Sequence, residues 1–167
     1  MKVRLFVLFI LALGFVLAQS TLVRVVTLFG VKPDIVVILV MFISLWYGRI
    51  NAALIGLFCG FFVEITSGLP AGAALGPYVL GGLILAHLAS VVWYTQWYTQ
   101  RVGGQMLIAF LFTFTIYLFQ FFLLRPAAIE LSLLSALVGI ILPVSLYTAG
   151  VSPLLFYLLN TIAAPLR

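Results

Sequence analysis

Charge is what this sequence has least of. Only 7% of its 167 residues are Asp, Glu, Lys or Arg, while 66% are apolar; soluble domains carry about 25% charged and roughly 45–50% apolar residues. A water-soluble surface cannot be built from that stock. Cysteine occurs once, as Cys59, which excludes an intramolecular disulfide and a thiolate metal cluster and leaves the residue to pack as a small apolar group. Histidine also occurs once and has no Asp or Glu at helical spacing, so a metal site has no ligand set. The chain has no Walker A sequence and no HExxH, and its Ser, Thr and Gln residues have no base with an orienting acid beside them. Enzymatic chemistry is therefore not expected, nor a cofactor other than bound lipid. The eight Lys and Arg residues give a net charge of +5 but are scattered singly, without the runs that grip nucleic acid or anionic lipid.

What is present is a series of long apolar runs. Backbone polar groups in hydrocarbon must be satisfied internally, which allows helices or a closed barrel. Barrel strands would alternate polar and apolar side chains, and these runs do not. The sequence thus predicts an all-α integral membrane protein, a compact bundle of about six helices in one domain spanning 1–167.

With about 20 residues per crossing, the first helix is expected from about Val3 to Val23. Lys2, Arg4, the apolar run and Val16-Leu17-Ala18 resemble a secretory signal, but further apolar segments follow and the run is read as an uncleaved first span. Pro33 opens a second helix running to about Tyr47, and a third extends from about Ile50 to Ile65. A single helix over Ile35–Ile65 would put Arg49 at mid-membrane, at a cost of about 2.5–3.5 kcal/mol. A tight Gly48-Arg49 turn avoids it. Ser67 to Pro77, uncharged and rich in Gly and Pro, is expected to fold irregularly against the bundle. A fourth helix over about Tyr78–Tyr94 ends in the doubled tetrapeptide Trp93-Tyr94-Thr95-Gln96-Trp97-Tyr98-Thr99-Gln100, suited to an aromatic belt. A fifth covers about Gln105–Leu124. The sixth, about Ala136–Leu159, follows a short interfacial piece and bends near Pro143 or Pro153.

With both termini cytoplasmic, Lys2, Arg4, Arg49, Arg101 and Arg167 lie inside and Arg24, Lys32 and Arg125 outside, with Asp34 and Glu130 offsetting two of the outer cations. Asp34 stands where a carboxylate complements the dipole and caps the second helix. Arg49 anchors a turn at headgroup phosphate or meets a cytoplasmic partner. Glu64 closes an apolar helix, an expensive place for a carboxylate. Two roles are open to it: a proton or substrate site, or a pairing with the Gly-rich segment or a partner. His87 reads as an interhelical hydrogen-bonded contact before a proton relay. Gly56 and Gly60 form a GxxxG pair, and Gly81-Gly82 is a similar close-packing site.

Pro33-Asp34-Ile35-Val36-Val37-Ile38-Leu39-Val40, Tyr47-Gly48-Arg49 and Ala53 through Ile65, leading into Ser67-Gly68, Leu75-Gly76 and Gly81-Gly82, resemble the bacterial rod-shape-determining MreD family. The match covers about residues 30–90; Glu64 stands where that family commonly has Asp. The resemblance implies a non-enzymatic inner-membrane scaffold of the elongation complex, which organises or regulates peptidoglycan synthesis and cell shape. Its implied partners are the bitopic MreC, RodA with its class B penicillin-binding protein, and indirectly MreB. It also implies a fold similar to the substrate-binding subunits of energy-coupling-factor transporters. The candidate partner or structural contacts are Asp34, Arg49, Gly56, Gly60, Glu64, Gly68, Gly76 and His87. Two other functions compete: a vitamin-binding transporter subunit, which needs a pocket with convergent polar groups of which Glu64, His87 and Gln120 are the few candidates, and a lipid-precursor channel.

Overall fold

The computed structural model describes residues 2–21, 31–91, 101–124 and 132–163. Among them every regular element is helical: α1 (Lys2–Thr21), α2 (Ile35–Trp46), α3 (Gly48–Ser67), α4 (Leu75–Val91), α5 (Val102–Leu124) and α6. The last comprises Leu133–Ala136, a wide π turn at Leu137–Ile141, and Leu142–Ala163. The aromatic repeat over 93–100, together with Arg24, Arg125, Glu130 and Arg167, lies outside the described residues.

At the centre stands α2, in contact with all five other helices. Its residues Val36 to Ser44 are all buried, as befits a helix apolar on every side. The sequence reading treats it as a full crossing. Its 12 residues reach only about 18 Å at about 1.5 Å per residue, short of a hydrocarbon core of about 30 Å. Among the described residues, three helices have the length and apolarity to cross a membrane: Gly48–Ser67, Val102–Leu124 and Leu133–Ile162. Phe6–Thr21, α2 and α4 are shorter apolar helices.

The turn between α2 and α3 falls where expected. Gly48 takes φ +80°, a left-handed backbone that an L side chain would strain, and the Tyr47 amide still reaches the Ile43 carbonyl at 2.8 Å. The Gly-rich stretch is irregular over a shorter span than expected. Gly68 ends α3 with φ +65°, turns follow at 71–74, and α4 has begun by Leu75.

Near its C-terminal end the chain departs from expectation. The helix α6 has already begun at Leu133, ahead of the expected start at Ala136, and the irregularity expected near Pro143 takes the form of a π turn just before it. The proline ring would strike the Gly139 carbonyl in a regular α turn, and the wider turn makes room for it. Pro153 sits inside the helix and cannot serve the Ala149 carbonyl; the Ser152 hydroxyl donates to it instead at 2.8 Å.

Small residues bring the helix backbones close together, a packing that suits helices in lipid. A Cβ at Gly60 would lie 2.6 Å from Leu75 Cα, and one at Gly56 would lie 2.8 Å from the Tyr78 carbonyl oxygen. The GxxxG pair is thus the seam between α3 and α4, the most extensive helix contact in the fold. Gly82 faces the Ala52 carbonyl and Ser44, and Gly81 faces Ile116 and Phe112 of α5. Edge-on ring pairs join α1 to α3 (Phe9 and Phe58, 4.9 Å) and α2 to α6 (Phe42 and Phe156, 5.5 Å).

Polarity is inverted relative to a soluble domain. Phe6, Ile10 and Leu17 of α1, Leu57, Phe61 and Ile65 of α3, and Leu134, Leu146 and Leu154 of α6 are exposed, whereas Asp34, Glu64, Thr113, Ser145, Thr148 and Ser152 are buried. Soluble monomers do not present apolar ridges on this scale, and lipid is the solvent such a surface suits.

Candidate functional site

Asp34 has the capping role expected of it, but as the N-cap of an α2 that begins at Ile35, so that Pro33 precedes the helix and does not open it. Its Oδ1 accepts from the Val36 and Val37 amides at 3.1 and 3.0 Å, which satisfies two of the donors a helix start leaves open. The other carboxylate oxygen does something that spacing in the sequence does not reveal. Oδ2 accepts from the Tyr78 hydroxyl of α4 and the Tyr117 hydroxyl of α5, each at 2.9 Å.

The backbone around Asp34 is tied to two more helices. The Asp34 amide donates to the Thr148 hydroxyl of α6 at 2.9 Å. Gln19 of α1 accepts from the Ile35 amide at 3.0 Å and donates to the Pro33 carbonyl at 3.3 Å. One buried aspartate, 4% exposed, therefore joins α2, α4, α5 and α6, and its chain neighbours Pro33 and Ile35 tie in α1. Its four hydrogen bonds fill the lone-pair positions of a carboxylate, and all four donors are uncharged.

Glu64 does for α4 what Asp34 does for α2. Its Oε1 accepts from the Ala74 and Leu75 amides at 2.9 and 2.7 Å, so a side chain near the end of α3 caps the start of α4. The pairing with the Gly-rich segment is thus the arrangement present. Gly60, one turn before Glu64, lets α4 come close enough for it.

Beside Asp34 lies a cavity of about 550 Å³, walled by the C-terminal ends of α1 and α3, the segment before α2, Tyr78, Tyr117, Gln120 and the π turn of α6. Both Asp34 and Lys32 line it; Lys32 is exposed and Asp34 buried. Its volume is in the range of small-molecule sites, about 300–1,000 Å³.

The remaining expected residues lie elsewhere. Arg49 donates to the Ser90 hydroxyl at 2.7 Å, tying the start of α3 to the end of α4 at the opposite end of α2 from Asp34. His87 is exposed on α4 and not the interhelical contact expected of it; it falls on the outer side because α4 turns Gly82 and Ala86 inward. Gly68 closes α3, and Gly76 sits in the first turn of α4 against Leu123 with ordinary spacing. Cys59 is fully buried in the core.

Of the groups that meet at Asp34, sequence reasoning singles out only Asp34 itself, and Gln120 among the cavity walls. Tyr78, Tyr117, Gln19 and Thr148 carry one weak signal: each places a hydrogen-bonding group in an apolar run, where it must find a partner. In comparisons with protein-family models, curated proteins and solved structures, the chain matches none.

Proposed function

We propose that this chain is a non-enzymatic membrane scaffold of the MreD type, which docks the transmembrane helix of an MreC-like bitopic protein. Through that partner it would join RodA, its class B penicillin-binding protein and MreB in the machinery of lateral wall growth. The observation that carries the reading is the fate of the polar side chains in the segment resembling that family. Asp34 spends both carboxylate oxygens, and Glu64 one of its two, on helix starts and tyrosines within the chain, and Gly56 and Gly60 use their missing side chains on the α3–α4 seam. Those residues hold a shape. What the exterior offers a partner is apolar ridges, which suit recognition of another helix by packing. Such a protein sits in the bacterial inner membrane with both termini cytoplasmic.

Purification of the tagged chain from native membranes in mild detergent, with mass-spectrometric identification of what accompanies it, tests the reading. Recovery of a bitopic MreC-like protein is expected. Recovery of a paired ATPase with a bound vitamin contradicts it and favours the second reading, a solute-binding transporter subunit. That second reading draws its support from the cavity beside Asp34.

A further inference from the structure

Four of the five hydroxyl groups on the cavity wall, all but that of Ser67, share a property that none shows alone. Ser20 donates its only hydroxyl hydrogen to the Leu17 carbonyl at 2.9 Å, and Thr66 donates to the Phe62 carbonyl at 2.9 Å. Tyr78 and Tyr117 both donate to Asp34. All four line the cavity with Asp34, and all four have given their hydrogens away from it. Toward a ligand they present lone pairs alone.

Behind the two tyrosine oxygens stands a buried carboxylate whose four hydrogen bonds come from neutral donors. A carboxylate taken out of water calls for a counter-charge, and tyrosine oxygens polarised by it are better acceptors than free ones. The matching ligand group is positively charged and rich in N–H donors. Lys32, the charged wall residue of opposite sign, is exposed and favours a ligand whose far end is anionic.

We propose that the cavity binds a small zwitterion, with its primary ammonium on the Tyr78 and Tyr117 oxygens beside Asp34 and its phosphate or carboxylate toward Lys32. Free phosphoethanolamine and the headgroup of phosphatidylethanolamine share this chemistry. The inference stands on the cavity alone and is independent of the partner assignment above.

Calorimetric titration of the detergent-solubilised chain with phosphoethanolamine and with glycerol phosphate tests whether the ammonium is read. Native mass spectrometry from micelles doped with equal phosphatidylethanolamine and phosphatidylglycerol tests the lipid source. Tighter binding of the ammonium-bearing member by about tenfold or more is expected in at least one pair, and which pair shows it identifies the source. Asp34→Asn should erase the preference. Because that variant can fail to fold, Thr66→Val, at an exposed wall position, is measured beside it and should weaken binding severalfold while leaving the unfolding temperature in place. Equal affinity within both pairs, or no saturable binding by wild type in either assay, overturns the proposal.

Discussion

Tyr117 and Asp34, 83 residues apart in the chain, meet through a hydroxyl donated to Oδ2 at 2.9 Å. Tyr78 donates to the same oxygen. Two helices are thereby pinned to the start of a third by a single atom.

Removing that acceptor should be costly. Asp34→Ala strands two tyrosine hydroxyls and two α2 amides, and leaving each buried donor unmade costs about 1–3 kcal/mol. A loss of several kcal/mol is expected, against about 1 kcal/mol for Tyr117→Phe, which removes one bond and keeps the ring. Thermal unfolding in detergent should rank Asp34→Ala well below Asp34→Asn, with Tyr117→Phe nearest wild type.

The α3–α4 seam gives a second test. A methyl at Gly60 meets backbone atoms of Leu75 at 2.6 Å, while one at Gly14 or Gly103 has nothing within 4 Å. Gly60→Ala should therefore destabilise by about 1–3 kcal/mol through overpacking against a backbone that cannot step aside. Gly14→Ala should be neutral or stabilise by up to about 1 kcal/mol, because alanine is the better helix former. Denaturation in mixed micelles distinguishes the two outcomes.

Glu64 is expected to act on a helix other than its own. Glu64→Ala frees the Ala74 and Leu75 amides it now accepts from, so hydrogen exchange should accelerate at those two positions before any change within α3. Glu64→Gln retains an oxygen acceptor and should preserve most of the protection. The change from charged to neutral cap should cost about 1 kcal/mol.

Much of the helical layout is legible in the sequence because it depends on local chemistry. Gly48 marks a break that a left-handed backbone needs, Asp34 follows Pro33 at a helix start, and GxxxG announces a close approach. The remainder depends on partners far along the chain. That α2 is a buried 12-residue peg follows from what surrounds it and not from its apolar composition, which a full crossing shares. The tyrosines on Asp34 and the Thr148 hydroxyl, 114 residues from the amide it serves, cannot be paired from spacing alone. His87 defies its sequence expectation because a lone imidazole in an apolar run carries no record of which side of its helix faces inward. The π turn escapes for a related reason: Pro143 signals a disturbance without specifying whether the helix bends or widens.

The central claim is that lipid solvates the outside of this bundle while its polar groups turn inward. Spin labels placed singly at Leu57, Phe61, Leu111 and Leu146, all exposed apolar positions, in protein reconstituted into bilayers test it most directly. Collision with dissolved oxygen should dominate at all four, with little access for a water-soluble nickel chelate. Preferential access of the chelate at these sites would contradict the account.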